Sequence, residues 1–159
     1  MNYEKEMNMD NVVFGDMPPQ AFLLGLLSAF DNRFQASADA FFKEITWKQF
    51  FAIICINLCK EAPTINELSE VMGSSHQNVK QILLRLEKKG FVSTVVDEKD
   101  KRKQRIIVTD AARAFLEEND NNGQQSQYII GRIFEGVDEK SLMTTIQTII
   151  KMERNLSKI

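Results

Sequence analysis

The residues best suited to chemistry fall within one stretch, Ser74 to Arg105. It opens with side chains that hydrogen-bond: Ser74, Ser75, His76, Gln77, Asn78, Lys80, Gln81 and Arg85. Asn and Gln can pair bidentately with an adenine edge, Arg or Lys with guanine, and Ser with either. The stretch closes on a charged run, Asp97-Glu-Lys-Asp-Lys-Arg-Lys-Gln-Arg105, whose cations suit phosphate. Nine Lys/Arg stand here against four Asp/Glu, a net of +5, so the rest of a chain of net charge −2 carries −7. That asymmetry puts one positive surface on an acidic body and matches double-stranded DNA held on a single face. A polar helix face alone is as readily a solvated one. The basic loop behind it is what favours DNA.

The elements that must position these groups are legible around them. Thr64 followed by Glu67 is a capping box that starts a short helix, and Pro63 keeps the preceding helix from running on. Ile65, Leu68, Val71 and Met72 form its expected buried stripe, and Gly73 can take the left-handed conformation that ends it. Ser74 and Ser75 are both suitable N-caps for the next helix, and Ser74 with Gln77 reads as a second capping box. Val79, Ile82, Leu83 and Leu86 recur at helical spacing and turn the polar residues outward. Lys88 and Lys89 suit the C-terminal end of that helix, and Gly90 stops it. A hairpin with a basic tip follows and ends at Ile106-Ile-Val-Thr109. The pattern predicts a mainly α fold with a small β-hairpin, a winged helix-turn-helix over residues 45–109.

Helical segments flank this module. Residues 18–42 carry Phe22, Leu23, Leu26, Leu27, Phe30 and Phe34 on one wide apolar face, and Thr46 caps a second helix bearing Phe50, Ile53, Ile54 and Leu58. Thr109 is expected to cap the helical region 110–158, whose last helix starts at Asp138 and bears Leu142, Ile146, Ile149 and Ile150. The polar run through residues 117–126 reads as a break, a bend or an exposed stretch of one long helix. Residues 1–17 read as a loose lead-in. The apolar stripes of 18–42 and 110–158 have no partner domain here, which predicts dimerisation helices that pair with a second copy by two-fold symmetry. Two recognition helices would then meet half-sites about one turn apart. At 159 residues the chain reads as a single domain. No window is long and apolar enough to span a membrane, and the acidic N-terminus is unlike a secretory leader, so a cytoplasmic protein is expected.

The residues argue against catalysis. There is no Gly-rich phosphate loop, and the lone His76 stands outside any Ser/His/Asp set. Cys55 and Cys59 do not make a closed metal site, so neither a metal nor a cofactor is expected. Facing one side of a helix, the two thiols could instead sense oxidation, although buried apolar cysteines are usually inert and core packing is the favoured role. Aromatic residues gather along the first two helices: Phe30, Phe34, Phe41, Phe42, Trp47, Phe50 and Phe51. They suit core and dimer packing. With Arg33, the set Phe34, Trp47, Phe50 and Phe51 could also line a pocket for an aromatic acid. The rival use of the module is a winged helix that docks an acidic protein. Lys99, Lys101, Arg102, Lys103 and Arg105 on one hairpin favour phosphate over that.

With these residues in view, the chain resembles the MarR family of bacterial transcription regulators over about residues 20–155. The resemblance rests on Ile45-Thr-Trp-Lys-Gln-Phe50, Thr64-Ile-Asn-Glu-Leu-Ser-Glu-Val-Met-Gly73, Ser75, Val79, Leu83 and Arg85-Leu-Glu-Lys-Lys-Gly-Phe-Val92. Asp97, Asp100-Lys-Arg102 and Val108-Thr-Asp110 complete it, the Asp-x-Arg of the wing being the most specific sign. The resemblance implies a homodimeric repressor on a pseudo-palindromic operator, with a recognition helix in the major groove and a wing arginine in the adjacent minor groove. Carried over, the base readers are Ser75, His76, Gln77, Asn78, Lys80 and Gln81. Arg102 is the wing arginine between Lys101 and Lys103, Asp100 holds the hairpin tip, and Thr64 and Arg85 support or touch phosphate. It also implies a small aromatic or phenolic effector that alters DNA affinity. Ser74, where an apolar residue is common in the family, and His76 and Gln77 are this chain's own choices.

Overall fold

The computed structural model describes residues 15–41, 44–119 and 124–159. The lead-in up to residue 14, Phe42 of the aromatic set, and residues 120–123 of the polar run lie outside them. The described helices are α1 (Pro19–Phe41), α2 (Trp47–Leu58), α3 (Ile65–Met72), α4 (His76–Lys88), α5 (Asp110–Asn119), α6 (Gln124–Ile133) and α7 (Glu139–Leu156). Between α4 and α5 lie strands β1 (Val92–Val96) and β2 (Gln104–Val108), paired antiparallel with Val92 opposite Val108 and Val96 opposite Gln104. This is the mainly helical winged-helix architecture that the sequence predicts. The chain divides into two compact units, one ending at Thr109 and one beginning at Asp110.

In the first unit each short helix is defined by local chemistry. Thr46 caps α2 through a box with Gln49, whose side chain is buried as it accepts from the Thr46 amide at 3.1 Å. Thr64 and Glu67 form the box that starts α3: the Glu67 amide donates to the Thr64 hydroxyl at 3.3 Å, and the Thr64 amide donates to the Glu67 carboxylate at 2.7 Å. The turn after α3 is a Schellman motif. Gly73 sits at φ 59°, its amide donates to the Glu70 carbonyl, and the Ser74 amide reaches back to Ser69. The same motif ends α4 at Gly90, φ 73°, with bonds to Glu87 and Leu86. Each left-handed glycine turns the chain within a few residues, which lets α3 and α4 pack together and sends β1 away directly after α4.

The core of this unit is Ala52, Ile53, Cys55 and Ile56 from α2, Leu68 from α3, Val79, Ile82, Leu83 and Leu86 from α4, and Val92, Ile106 and Val108 from the hairpin. The α4 stripe is buried throughout. The α3 stripe is narrower than expected, because Leu68 is buried while Val71 is 50% exposed. Leu58, the last residue of α2, likewise faces solvent. The hairpin is fastened to the body by the Ile106 amide, which donates to the Pro63 carbonyl at 2.9 Å.

The flanking helices bury less. Among the described residues of α1, Phe22, Leu23, Leu26, Leu27 and Phe34 are half-buried and Phe30 is exposed. In the second unit Asp138 caps α7 by accepting from the Ser141 amide at 3.0 Å. Along α7, Leu142 and Ile149 are half-buried and Ile146 and Ile150 are exposed. No helix of the described residues is long and apolar enough to cross a membrane.

Leu68, fully buried where α3 meets α2 and α4, sets the largest single packing term in the short helix. Leu68→Ala is expected to destabilise the protein by about 2–5 kcal/mol, measured by urea unfolding. A loss below about 1 kcal/mol would mean that α3 is not held by this contact.

Candidate nucleic-acid interface

The polar face begins at the turn between α3 and α4. Ser75, not Ser74, is the N-cap of α4: its hydroxyl accepts from the Asn78 amide at 3.3 Å. The expected Ser74–Gln77 box is replaced by a different pair, in which the Asn78 side-chain amide donates to the Ser74 hydroxyl at 2.8 Å. The physical reason is the Gly73 turn. The Ser74 amide completes the end of α3, so Ser74 belongs to the preceding motif and the following helix starts one residue later. Asn78 is thereby held from both sides. His76, Gln77, Asn78, Lys80, Gln81 and Arg85 are all exposed, along the side of α4 opposite its buried stripe. Thr64 commits both its amide and its hydroxyl to Glu67, so what it can offer a ligand comes only through the geometry of the α3 N-terminus.

The wing tip is built on two aspartates. The Asp97 carboxylate accepts from the Lys99 and Asp100 amides at 2.8 and 2.7 Å and from Arg105 Nε at 2.6 Å. These bonds push its pKa down to about 2, the Asp100 amide contributing most and the Arg105 side chain next. The Asp100 carboxylate accepts from Arg102 Nε at 3.1 Å and from the Arg102 amide at 3.2 Å, which lowers its pKa as well. The Arg102 side chain is nonetheless 91% exposed, so it is oriented at its root and open at its end. Lys101 and Lys103 flank it, exposed.

Arg105 behaves unlike its neighbours. Its side chain is only 20% exposed, and besides Asp97 it reaches the Ala62 carbonyl and the Glu67 carboxylate, each at 3.0 Å. The expectation that it joins the phosphate-facing cations of the wing is therefore corrected: it is an internal ion-pair centre. Sequence reasoning missed it because the cations of the hairpin look alike, and this one, although on the strand face opposite the buried Ile106 and Val108, is drawn to Asp97, Ala62 and Glu67. The neighbouring cations and hydrogen bonds leave Glu67 with a lowered pKa, the Thr64 amide being the largest cause.

The aromatic residues do meet. Phe34 packs edge-on to Trp47 with centroids 4.6 Å apart, and Trp47 lies 5.7 and 6.1 Å from Phe50 and Phe51. Arg33 is exposed on α1 and forms no ion pair with a described residue. A cavity of about 150 Å³ lies elsewhere, between α4 and the hairpin, lined by residues that include Leu83, Leu84, Val92, Thr94 and Ile106, with Lys80 and Glu87 also contributing. Cys55 is buried and its thiol pKa is raised, first by burial and then by Cys59, whose own Sγ donates to the Cys55 carbonyl at 3.2 Å. Neither feature activates a thiol.

Residues 45–103, the helix-turn-helix and most of the wing, match the model of the MarR family. The whole fold is shared with solved MarR structures. A MarR/EmrR family transcriptional regulator from Acinetobacter sp. ADP1 superposes with a TM-score of 0.76 at 13% identity, over 90% of this chain and 100% of that one. A MarR protein from Peptoclostridium difficile gives 0.76 at 18% identity, over 93% and 95%. A mutant MarR from E. coli, complexed with operator DNA, gives 0.70 at 20% identity, over 89% and 99%. No curated protein sequence matches the chain. In this segment the exposed groups include the outer face of α4 and Arg102, with Lys101 and Lys103 beside it.

The carboxylates of the wing set its acid limit. Asp97 and Glu67 are both depressed in the folded protein, so each contributes stability that is complete above its unfolded value, near 4, and is lost as pH falls through its folded value. The amides of the wing tip, including Lys99 and Asp100, are expected to lose hydrogen-exchange protection between about pH 4 and pH 2. In Asp97→Asn the same loosening should be present at neutral pH. Equal protection in that variant and the parent would remove Asp97 as the organiser of the tip.

Proposed function

We propose that this chain is a transcription regulator of the MarR type that acts as a repressor, binding double-stranded DNA as a homodimer. The observation that carries the reading is the pairing of an exposed, hydrogen-bonding α4 face with an Arg102 that is oriented by Asp100 yet open to solvent. In this reading α4 enters the major groove with Ser75, His76, Gln77, Asn78, Lys80 and Gln81 at base edges or adjacent phosphates, and Arg102 enters the neighbouring minor groove. Lys101, Lys103 and Arg85 supply phosphate contacts, and Thr64 and Ser74 support the helix ends that the backbone presents. The existence of a similar fold, MarR from E. coli, in complex with operator DNA supports this use of the surface.

The homodimer is supported by apolar faces that the single chain leaves uncovered. Along α1 no described residue is buried, and along α7 Ile146 and Ile150 are more than 40% exposed. A monomer would present both stripes to water, whereas a two-fold partner would cover them. The aromatic set Phe34, Trp47, Phe50 and Phe51 is the proposed seat of a small aromatic or phenolic effector that lowers DNA affinity. Control by oxidation of Cys55 or Cys59 is disfavoured by the burial and raised pKa of Cys55.

Three measurements check this reading. In a fluorescence-anisotropy titration with the duplex upstream of the chain's own gene, Arg102→Ala is expected to weaken binding by about 1–3 kcal/mol. It should also reduce the slope of log K against log salt by about 0.9 if the contact is to phosphate. Unchanged affinity in folded Arg102→Ala would take the wing out of the interface. Sedimentation should give one dimer per duplex, and a monomer at micromolar concentration would refute the two-fold reading.

A further inference from the structure

Beyond its tip, the wing needs a fixed position. Two antiparallel strands alone are marginally stable in water, and the outer half of this hairpin offers little to bury: Val95, Val96 and Gln104 are exposed. At that level one side chain joins the hairpin to the helices. Arg105 stands on β2 opposite Val95, and its guanidinium contacts Asp97 at the start of the tip, the Ala62 carbonyl ahead of α3, and Glu67 in the first turn of α3. The latter two partners are 43 and 38 residues distant in the chain. Removing the guanidinium leaves the local motifs their own bonds, since Glu67 still caps Thr64 and Asp97 still accepts from Lys99 and Asp100. What it removes is the tie between them.

We propose that Arg105 is the positioning residue of the wing: it latches the hairpin to the N-terminus of α3 and so sets where Arg102 stands relative to α4. This rests on the DNA-binding reading above. Arg105 itself touches no nucleic acid in it. The planar fork is what the site requires, because three acceptors in different directions must be met by one side chain. A lysine keeps the charge but offers a point donor that reaches fewer of them.

The test combines exchange with a double-mutant cycle. In full-length Arg105→Gln, exchange at the Ile106 amide, which is bonded to Pro63 beside the latch, should accelerate by about tenfold or more while α2 amides keep their protection. Arg105→Lys should fall between. On the duplex, Arg105→Gln should weaken binding about as much as Arg102→Ala does, and adding Arg102→Ala to it should cost little more, because an unplaced Arg102 has little left to lose. Parental protection at Ile106 in Arg105→Gln overturns the latch, whatever the duplex does. Fully additive losses overturn its role in placing Arg102. If the parent protein binds no duplex, the DNA reading fails, and the exchange data still decide whether Arg105 holds the wing. Should Arg105→Gln lose protection throughout α2, Arg105→Lys carries both arms of the comparison on a folded protein.

Discussion

The Glu67 carboxylate is where the helix-turn-helix and the wing meet. It accepts from the Thr64 amide and hydroxyl and so starts α3, and the same group receives the Arg105 guanidinium from β2. A capping box is ordinarily a local device that satisfies orphan amides within one turn. Here the negative charge gathered for that purpose is used a second time, by an arginine from the far side of the module. The start of α3 and the level of the wing are therefore set by one group, and α4 follows from both, since the Gly73 turn fixes its start relative to the end of α3.

The candidate interface then combines order with exposure. At the turn, Ser74 and Ser75 hold Asn78 by its side chain and by its amide, so the first turn of α4 is constrained although its residues face solvent. At the wing, Asp97 and Asp100 collect backbone amides and orient Arg102 by its Nε. Surface ion pairs of this kind contribute little to stability, and the exposed Arg102–Asp100 pair is no exception. Their consequence is conformational: long polar side chains that would otherwise lose entropy on meeting a ligand are partly ordered beforehand.

The flanking helices follow a different rule. α1 and α7 have the periodicity of packed helices without the burial that usually accompanies it, whereas α4, with a comparable stripe, buries Val79, Ile82, Leu83 and Leu86 completely or nearly so. The contrast separates a helix whose stripe is covered within its own unit from two whose apolar residues stay half-buried or exposed. The same aromatic richness that makes α1 adhesive also brings Phe34 to Trp47, and ring-on-ring packing accounts for most of that cluster.

What the sequence determined by itself was the set of local motifs. The Thr64–Glu67 box, the Thr46 and Asp138 caps, the glycines at 73 and 90 and the α4 stripe each depend on residues a few positions apart, so their energetics are written in short spacing. Sequence reading failed where two local solutions competed or where partners were remote. Ser74 and Ser75 are equally good caps until the Schellman turn claims the Ser74 amide. Val71 and Leu58 fit their stripes by period, yet both are exposed, because period alone does not say which part of a stripe the tertiary packing covers. In sequence Arg105 reads as one more cation of a basic hairpin. Only the tertiary structure decided that it turns inward, because Asp97, Ala62 and Glu67 converge on one point when β2 folds back over the start of α3, and a fixed guanidinium can satisfy all three together.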